Sequence, residues 1–234
     1  MTKPRPPVEH QRCEVEIDEQ SGDYQHHQAD RKCFCHDPRR HFRLGSTAIS
    51  TAERPTALYP RLLGAAWRDL HPAIRRLHLT DDAATGRFAF HRGRGLEARL
   101  TCWVLRLPSS AAALEVRLAI ARDAESETWA RTFGRRRLVT IQRALPDGRL
   151  AERFGALELR FHLRVLEGAL TYVQAGAGIV VGRLLIPLPR WIAPRVEARE
   201  ACGVGRGSHI RVGISAPGIG LVMAYEGCIQ VERP

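Results

Sequence analysis

The sequence predicts a mainly β fold of the α+β class: a curled antiparallel meander of about nine strands, an open barrel or half-barrel, behind an N-terminal helical pair. Three observations predict it. Residues 157–165 alternate strictly, with Leu157, Leu159, Phe161, Leu163 and Val165 on one face and Glu158, Arg160, His162 and Arg164 on the other, the two-residue period of a half-buried strand. Stretches of similar character recur at short intervals, joined by turn signals such as Pro146-Asp147-Gly148 and Glu167-Gly168. Finally, about nine strands is close to the limit of what a strongly twisted sheet holds without curling or splitting.

Taken in chain order, residues 1–55 are rich in His, Gln, Asp and Arg and show no periodicity, which predicts a disordered polar arm. Residues 56–234 are expected to form a single domain. Its first segment spaces Leu58, Leu62, Leu63, Ala66, Trp67 and Leu70 at three and four residues, an amphipathic helix. Pro72 ends it and can open a second helix, Ala73 to Leu79. Arg87 to His91 reads as a strand and Leu96 to Leu107 as either a third helix or a strand, helix being favoured, closed by Pro108.

Strands are then predicted from Leu114 to Ile120, Glu127 to Phe133, Leu138 to Ala144, Arg149 to Phe154, Leu157 to Leu166 and Ala169 to Ala175. Ile179 to Pro194 carries Pro187, Pro189 and Pro194, none of which can donate to a ladder, and is expected to be an apolar loop with a short turn of helix. Arg195 to Ala201, His209 to Ala216 and Leu221 to Val231 complete the sheet, with Gly227 as a bulge.

Charge and composition narrow the function classes. The net charge of +11 comes from 36 basic and 25 acidic residues; residues 1–55 hold 9 of each, so the whole excess, 27 against 16, lies in the predicted domain. All but Lys3 and Lys32 of the basic residues are arginines, and they alternate along strands as a solvated face does. A nucleic-acid surface would cluster them, so no nucleic-acid partner is expected. The longest apolar stretch, residues 175–188, is interrupted by glycines, Arg183 and Pro187, well short of the ~20 residues of a membrane span. The N-terminus lacks the apolar run of a signal peptide. A soluble, cytoplasmic protein with reduced cysteines is expected.

No motif for chemistry stands out. Cys33-Phe34-Cys35-His36, with Cys13, His26, His27 and His41 nearby, offers soft ligands, yet the spacing is not that of a zinc knuckle and no second pair follows. Neither a metal nor a cofactor is expected. The serines lack a nucleophile-elbow context, and Gly203-x-Gly205-x-Gly207 lies between strands with no helix after it, unlike a phosphate loop. His162 reads as solvent-facing, as does His209, which would serve as a general base only if Glu200 joined it in a cleft. No catalytic residue is assigned.

One constellation breaks the pattern. Trp129, Arg131 and Phe133 share a strand face, which draws Arg131 toward the core; Glu152 likewise shares its face with Leu150 and Phe154. Pairing Phe133 with Arg137 and Ala144 with Arg149 places Val139 between Arg131 and Phe154 and Ile141 between Trp129 and Glu152, with Arg131 and Glu152 roughly 10 Å apart across three strands at ~4.8 Å each. The plain reading is a buried ion pair, or Arg131 stacked on Trp129, that fixes register. The functional reading is a polar anchor inside an apolar concavity, formed by Arg131, Glu152, Trp129, Phe133, Phe154 and Tyr225 and holding a small apolar or amphipathic ligand.

From Leu58 onward the chain resembles a bacterial family designated domain of unknown function 4166. The stretches that carry the resemblance are Leu58-Tyr59-Pro60-Arg61-Leu62-Leu63-Gly64, Trp129-Ala130-Arg131-Thr132-Phe133-Gly134, Glu152-Arg153-Phe154-Gly155, Ile186-Pro187-Leu188-Pro189, and Pro217-Gly218-Ile219-Gly220 with Tyr225-Glu226-Gly227. Such domains occur alone or behind a saccharopine-dehydrogenase-like NAD(P)-binding domain. The resemblance supplies no catalytic residues. It implies a second reading, an enzyme or a substrate-positioning partner of a separate NAD(P)-dependent oxidoreductase.

Overall fold

Antiparallel pairing of neighbours in sequence builds almost the whole molecule, a computed structural model that describes residues 57–203 and 207–232. The arm, with its cysteines and histidines, lies outside the described residues. Two helices come first, α1 (Leu58–Leu63) and α2 (Pro72–Leu79), joined by a 3-10 turn over Gly64–Asp69. Strand β1 (Ala84–Arg92) leads into a third helix, α3 (Leu96–Val104), as the sequence predicts. Then follow β2 (Ala111–Arg122), β3 (Ser126–Phe133), β4 (Arg136–Ala144), β5 (Leu150–Phe154), β6 (Leu157–Leu166) and β7 (Ala169–Val181). The chain ends with β8 (Leu184–Pro187), β9 (Arg195–Cys202), β10 (Ser208–Ala216) and β11 (Gly220–Val231).

The sheet closes. β1 pairs with β2 on one side and with β11 on the other, from Ala84 opposite Val231 to Arg92 opposite Met223, so the first and last strands meet. β7 pairs with both β6 and β9. The circuit is a closed antiparallel barrel of ten strands, with β8 outside it, hydrogen-bonded to β7 alone. The expected open or half-barrel is thereby corrected. Mating the first and last strands satisfies backbone groups that two free edges would leave unpaired.

The 179–194 segment is also corrected. β7 runs on to Val181, and β8 folds back on it as a hairpin, Ile179 opposite Ile186. Pro187 closes that hairpin at its end, where its missing donor costs nothing. A turn follows in which Ile192 and Ala193 both donate to the Pro189 carbonyl. Gly227 is not a bulge: β1 and β11 run in unbroken register through it. A side chain there would put its Cβ 2.1 Å from the Arg87 carbonyl oxygen and 2.7 Å from Phe88 Cγ, so the glycine is a place where two strands pass too closely for any Cβ.

The two ends of the barrel differ. At the end where β1 begins, α1 and α2 insert as a plug, burying Leu58, Tyr59, Ile74, Leu77 and His78. At the end where β1 finishes, α3 packs on the start of β11, with Cys102 Sγ 3.2 Å from the Val222 carbonyl oxygen. No described helix is long and apolar enough to cross a membrane.

Candidate ligand site in the barrel interior

Strand parity decides which side chains enter the barrel. The inner face of β3 carries Glu127, Trp129, Arg131 and Phe133. A two-residue turn, Gly134-Arg135, joins β3 to β4, so Phe133 faces Arg136, not Arg137; Gly134 takes the positive φ (55°) that so tight a hairpin needs. Trp129 then lies opposite Thr140 and Glu127 opposite Gln142, and β5 enters with Glu152 opposite Gln142. Thr140 and Gln142 are buried, whereas Val139 and Ile141 are exposed on the outside. The expected placement of Val139 between Arg131 and Phe154 and of Ile141 between Trp129 and Glu152 is therefore wrong by one residue, the shift that sends every side chain to the opposite face.

Arg131 and Glu152 nonetheless meet. Arg131 Nη2 lies 3.4 Å and Nη1 3.5 Å from the same oxygen, Glu152 Oε1, while Nη1 donates to Thr140 Oγ1 at 2.8 Å. This is a loose, one-oxygen contact, not the bidentate fork that locks a guanidinium to a carboxylate. The guanidinium also lies 5.1 Å from the centroid of the Trp129 ring. The two side chains retain 16 % and 18 % of their accessibility, so water reaches them inside the barrel wall. Burial presses Arg131 toward the neutral form, but Tyr225, Glu152, Tyr59 and Tyr172 outweigh it and hold its pKa above the ordinary value. Tyr225 is pushed up, by burial first and by Glu152 and Glu200 after it, against the pull of Arg131.

The aromatic candidates divide around Arg131. Above it Phe133 and Tyr225 lie 5.3 Å apart and join Phe88 and Phe90, with Phe90 stacked on Tyr225. Below it Trp129 contacts Tyr59 and His78. Phe154, half-buried at the end of β5 opposite Leu157, shares none of these ring contacts. Leu138, Leu157, Val212 and Ile214 pack against the core yet stay partly accessible, while Leu150, Leu170 and Phe161 are fully buried. Side chains at the α3 end, Phe90, Phe133, Val222 and Met223 among them, are also buried, so both ends of the barrel are covered.

The plug is tied to the wall by polar groups that sequence reasoning missed. Tyr59 Oη lies 2.9 Å from the side-chain amide of Gln142 and 3.0 Å from Tyr172 Oη, and Tyr172 donates to Glu200 at 2.7 Å. His78 Nε2 stands 2.8 Å from the other oxygen of Glu200. Each phenol has one hydrogen: Tyr59 donates its own to Gln142 Oε1, and Tyr172 donates its own to Glu200 Oε1. Glu127 accepts from the Leu58 amide (2.8 Å), the Trp129 indole (3.0 Å) and Arg122 Nε (3.1 Å); it caps α1 from a strand, since α1 has no side-chain cap of its own. Arg122 also donates to the carbonyls of His78 and Thr80 at the end of α2. A signal for His78 was present: with Ala73, Ile74 and Leu77 it falls on the apolar face of α2.

The other candidates resolve plainly. Glu200 is held by His78 and Tyr172, and His209 instead pairs with Glu226 at 3.1 Å, so His209 and Glu200 form no acid-base pair. His162 is exposed, as expected. Residues 204–206 of the glycine-rich turn are outside the described residues, but its flanks join β9 to β10 as a hairpin. Among the described residues no three His, Cys, Asp or Glu side chains are grouped to hold a metal ion. A cleft of about 500 Å³ at the plugged end, lined by Trp67, Arg75, Arg76 and Glu232 among others, lies away from the Arg131 constellation.

Compared with known proteins, residues 70–229 match the model of a family described as Domain of unknown function (DUF4166). No curated protein matches. Among solved structures, "Crystal Structure of Rv2717c from M. tuberculosis" is similar at 14 % identity over 70 % of this chain and 99 % of that one, with a TM-score of 0.39. The strand pairings themselves, not that likeness, establish the barrel.

Proposed function

The chain belongs to the DUF4166 family, and we propose that its barrel is a non-catalytic module binding a small amphipathic ligand, whose apolar body lies against the aromatic rings of the inner wall and whose polar or anionic head meets Arg131. The observation that supports this most is the state of Arg131: charged, partly accessible, and only loosely engaged by one oxygen of Glu152. A cation placed for register alone is expected to be locked by its carboxylate. A ten-stranded barrel is also wider than the eight-stranded ones that side chains fill or that hold one small ligand, and a few polar groups on an otherwise apolar wall is how such sites orient a guest.

The test uses anilinonaphthalene sulfonate, an amphipathic anion whose fluorescence rises in apolar surroundings. The full chain is expected to bind it saturably, Arg131→Met about tenfold more weakly, and Arg143→Met, altered on the outer surface, as the parent does. Absence of saturable binding, or equal weakening by both substitutions, overturns the reading.

A further inference from the structure

Two apolar surfaces stand exposed at the same end of the barrel. On α3, Leu96, Leu100, Trp103 and Val104 follow one helical face and all are exposed, while Ala98 and Cys102 on the opposite face are buried. Across the end, the β7–β8 hairpin runs past the first residue of β6, which pairs with Ile179, and presents Val181 and Leu184; Trp191 is exposed in the turn after it. Trp103 and Trp191 keep 74 % and 73 % of their accessibility, and large aromatics are rarely left so bare without a partner surface.

The charges at this end have one sign. Arg99, Arg106, Arg135, Arg183 and Arg190 are exposed in its helix and connections, and Glu97 is the one acidic residue in the described connections there. The plugged end is mixed in sign: Asp81, Asp82, Asp123, Asp147 and Glu167 stand in its connections beside Arg149, and its helices carry Arg61, Arg68, Arg75 and Arg76. A helix and a hairpin that combine bare Trp and Leu with arginines match the interface of a membrane bearing negative headgroups: indole and leucine enter the acyl boundary while guanidinium groups meet phosphate. A nucleic acid would use the arginines but give Leu96, Leu100 and Leu184 no apolar partner.

We propose that this end of the barrel docks on the surface of an anionic lipid bilayer. Docking rests on the outer surface and is independent of whether the interior holds a ligand.

The full chain is to be sedimented with vesicles of phosphatidylcholine containing 30 % phosphatidylglycerol, and with pure phosphatidylcholine vesicles, at low and high salt. Binding is expected to the anionic vesicles, at least tenfold weaker to the neutral ones, and weakened by salt. A Trp103→Ser, Trp191→Ser double variant is expected to bind at least tenfold more weakly with its melting temperature unchanged, both side chains being outside the core. In a Trp67→Phe background, brominated lipid should quench the remaining exposed tryptophans. Failure to bind anionic vesicles overturns the proposal. So does binding that the tryptophan substitutions leave intact and that duplex DNA competes away, which marks a polyanion surface. Dimerisation in sedimentation velocity that the tryptophan substitutions abolish, with no vesicle binding, assigns the patch to a second copy of the chain and overturns it equally.

Discussion

Arg131 Nη2 and Glu152 Oε1 stand 3.4 Å apart on the inner wall, on strands separated by β4, whose Thr140 hydroxyl accepts from Arg131 Nη1. Removing one partner of a buried pair leaves the other uncompensated, while replacing both with apolar groups does not. Both retain some contact with water, so Arg131→Met is expected to cost about 2 kcal/mol, below the 3–5 kcal/mol of fully buried pairs. The Arg131→Met, Glu152→Met double variant should recover most of that loss in urea denaturation.

Arg122 joins plug to wall and should be the costlier residue. Its side chain is nearly buried, and it serves Glu127 and the last carbonyls of α2 together. Arg122→Ala strands the Glu127 carboxylate, for which about 3–5 kcal/mol is expected. Loss of tryptophan fluorescence structure around Trp129 should accompany it, since the indole shares that carboxylate.

Acid stability follows from Glu200. Burial alone would raise its pKa, but the charge of His78 and hydrogen bonds from His78 and Tyr172 outweigh burial and hold it below the ordinary 4.5. A depressed carboxylate contributes stability that is whole above its unfolded value and is lost as the pH falls through the lower, folded value. Stability of the parent should therefore decline as the pH drops below about 4.5. Glu200→Gln is expected to be less stable at neutral pH and to decline less over the same interval, as measured by denaturation at a series of pH values.

Gly227 and Gly213 lie on neighbouring strands and should respond oppositely to the same substitution. A Cβ at Gly227 meets the backbone of β1, whereas one at Gly213 has nothing within 4 Å. Gly227→Ala is expected to cost about 3 kcal/mol or more, the upper range for overpacking; Gly213→Ala should be neutral or slightly stabilising. Thermal melting of the two variants separates them.

Strands, helices and the meeting of Arg131 with Glu152 were legible because alternation and turn residues are local. β4 was not. Its residues read Leu138, Val139, Thr140, Ile141, Gln142, and the apolar Val139 and Ile141 invite the inner face; the inner face there is polar instead, because Gln142 and Thr140 serve Tyr59 and Arg131. One residue of turn length between Phe133 and Arg136 settled the matter, and nothing in the composition of Gly134-Arg135-Arg136 distinguishes a two-residue from a three-residue loop. Barrel closure was hidden for a related reason: the pairing of Ala84 with Val231 joins residues from opposite ends of the domain. His78 and Glu200, 122 residues apart, leave no joint mark on the sequence.

The plug has a consequence for the order in which the protein comes into being. α1 and α2 leave the ribosome before any strand, yet the groups that hold them, Glu127, Gln142, Tyr172 and Glu200, are synthesised later, and the last strand must still arrive to meet β1. Seating the helices and shutting the circuit are thus late events that share one moment. Contacts so distant in sequence make for slow maturation, and until β11 emerges the newborn chain shows two unmated strands and an uncovered apolar wall, the surfaces by which nascent chains aggregate. Shortening the chain before β11 should not trim a finished barrel but prevent one from forming.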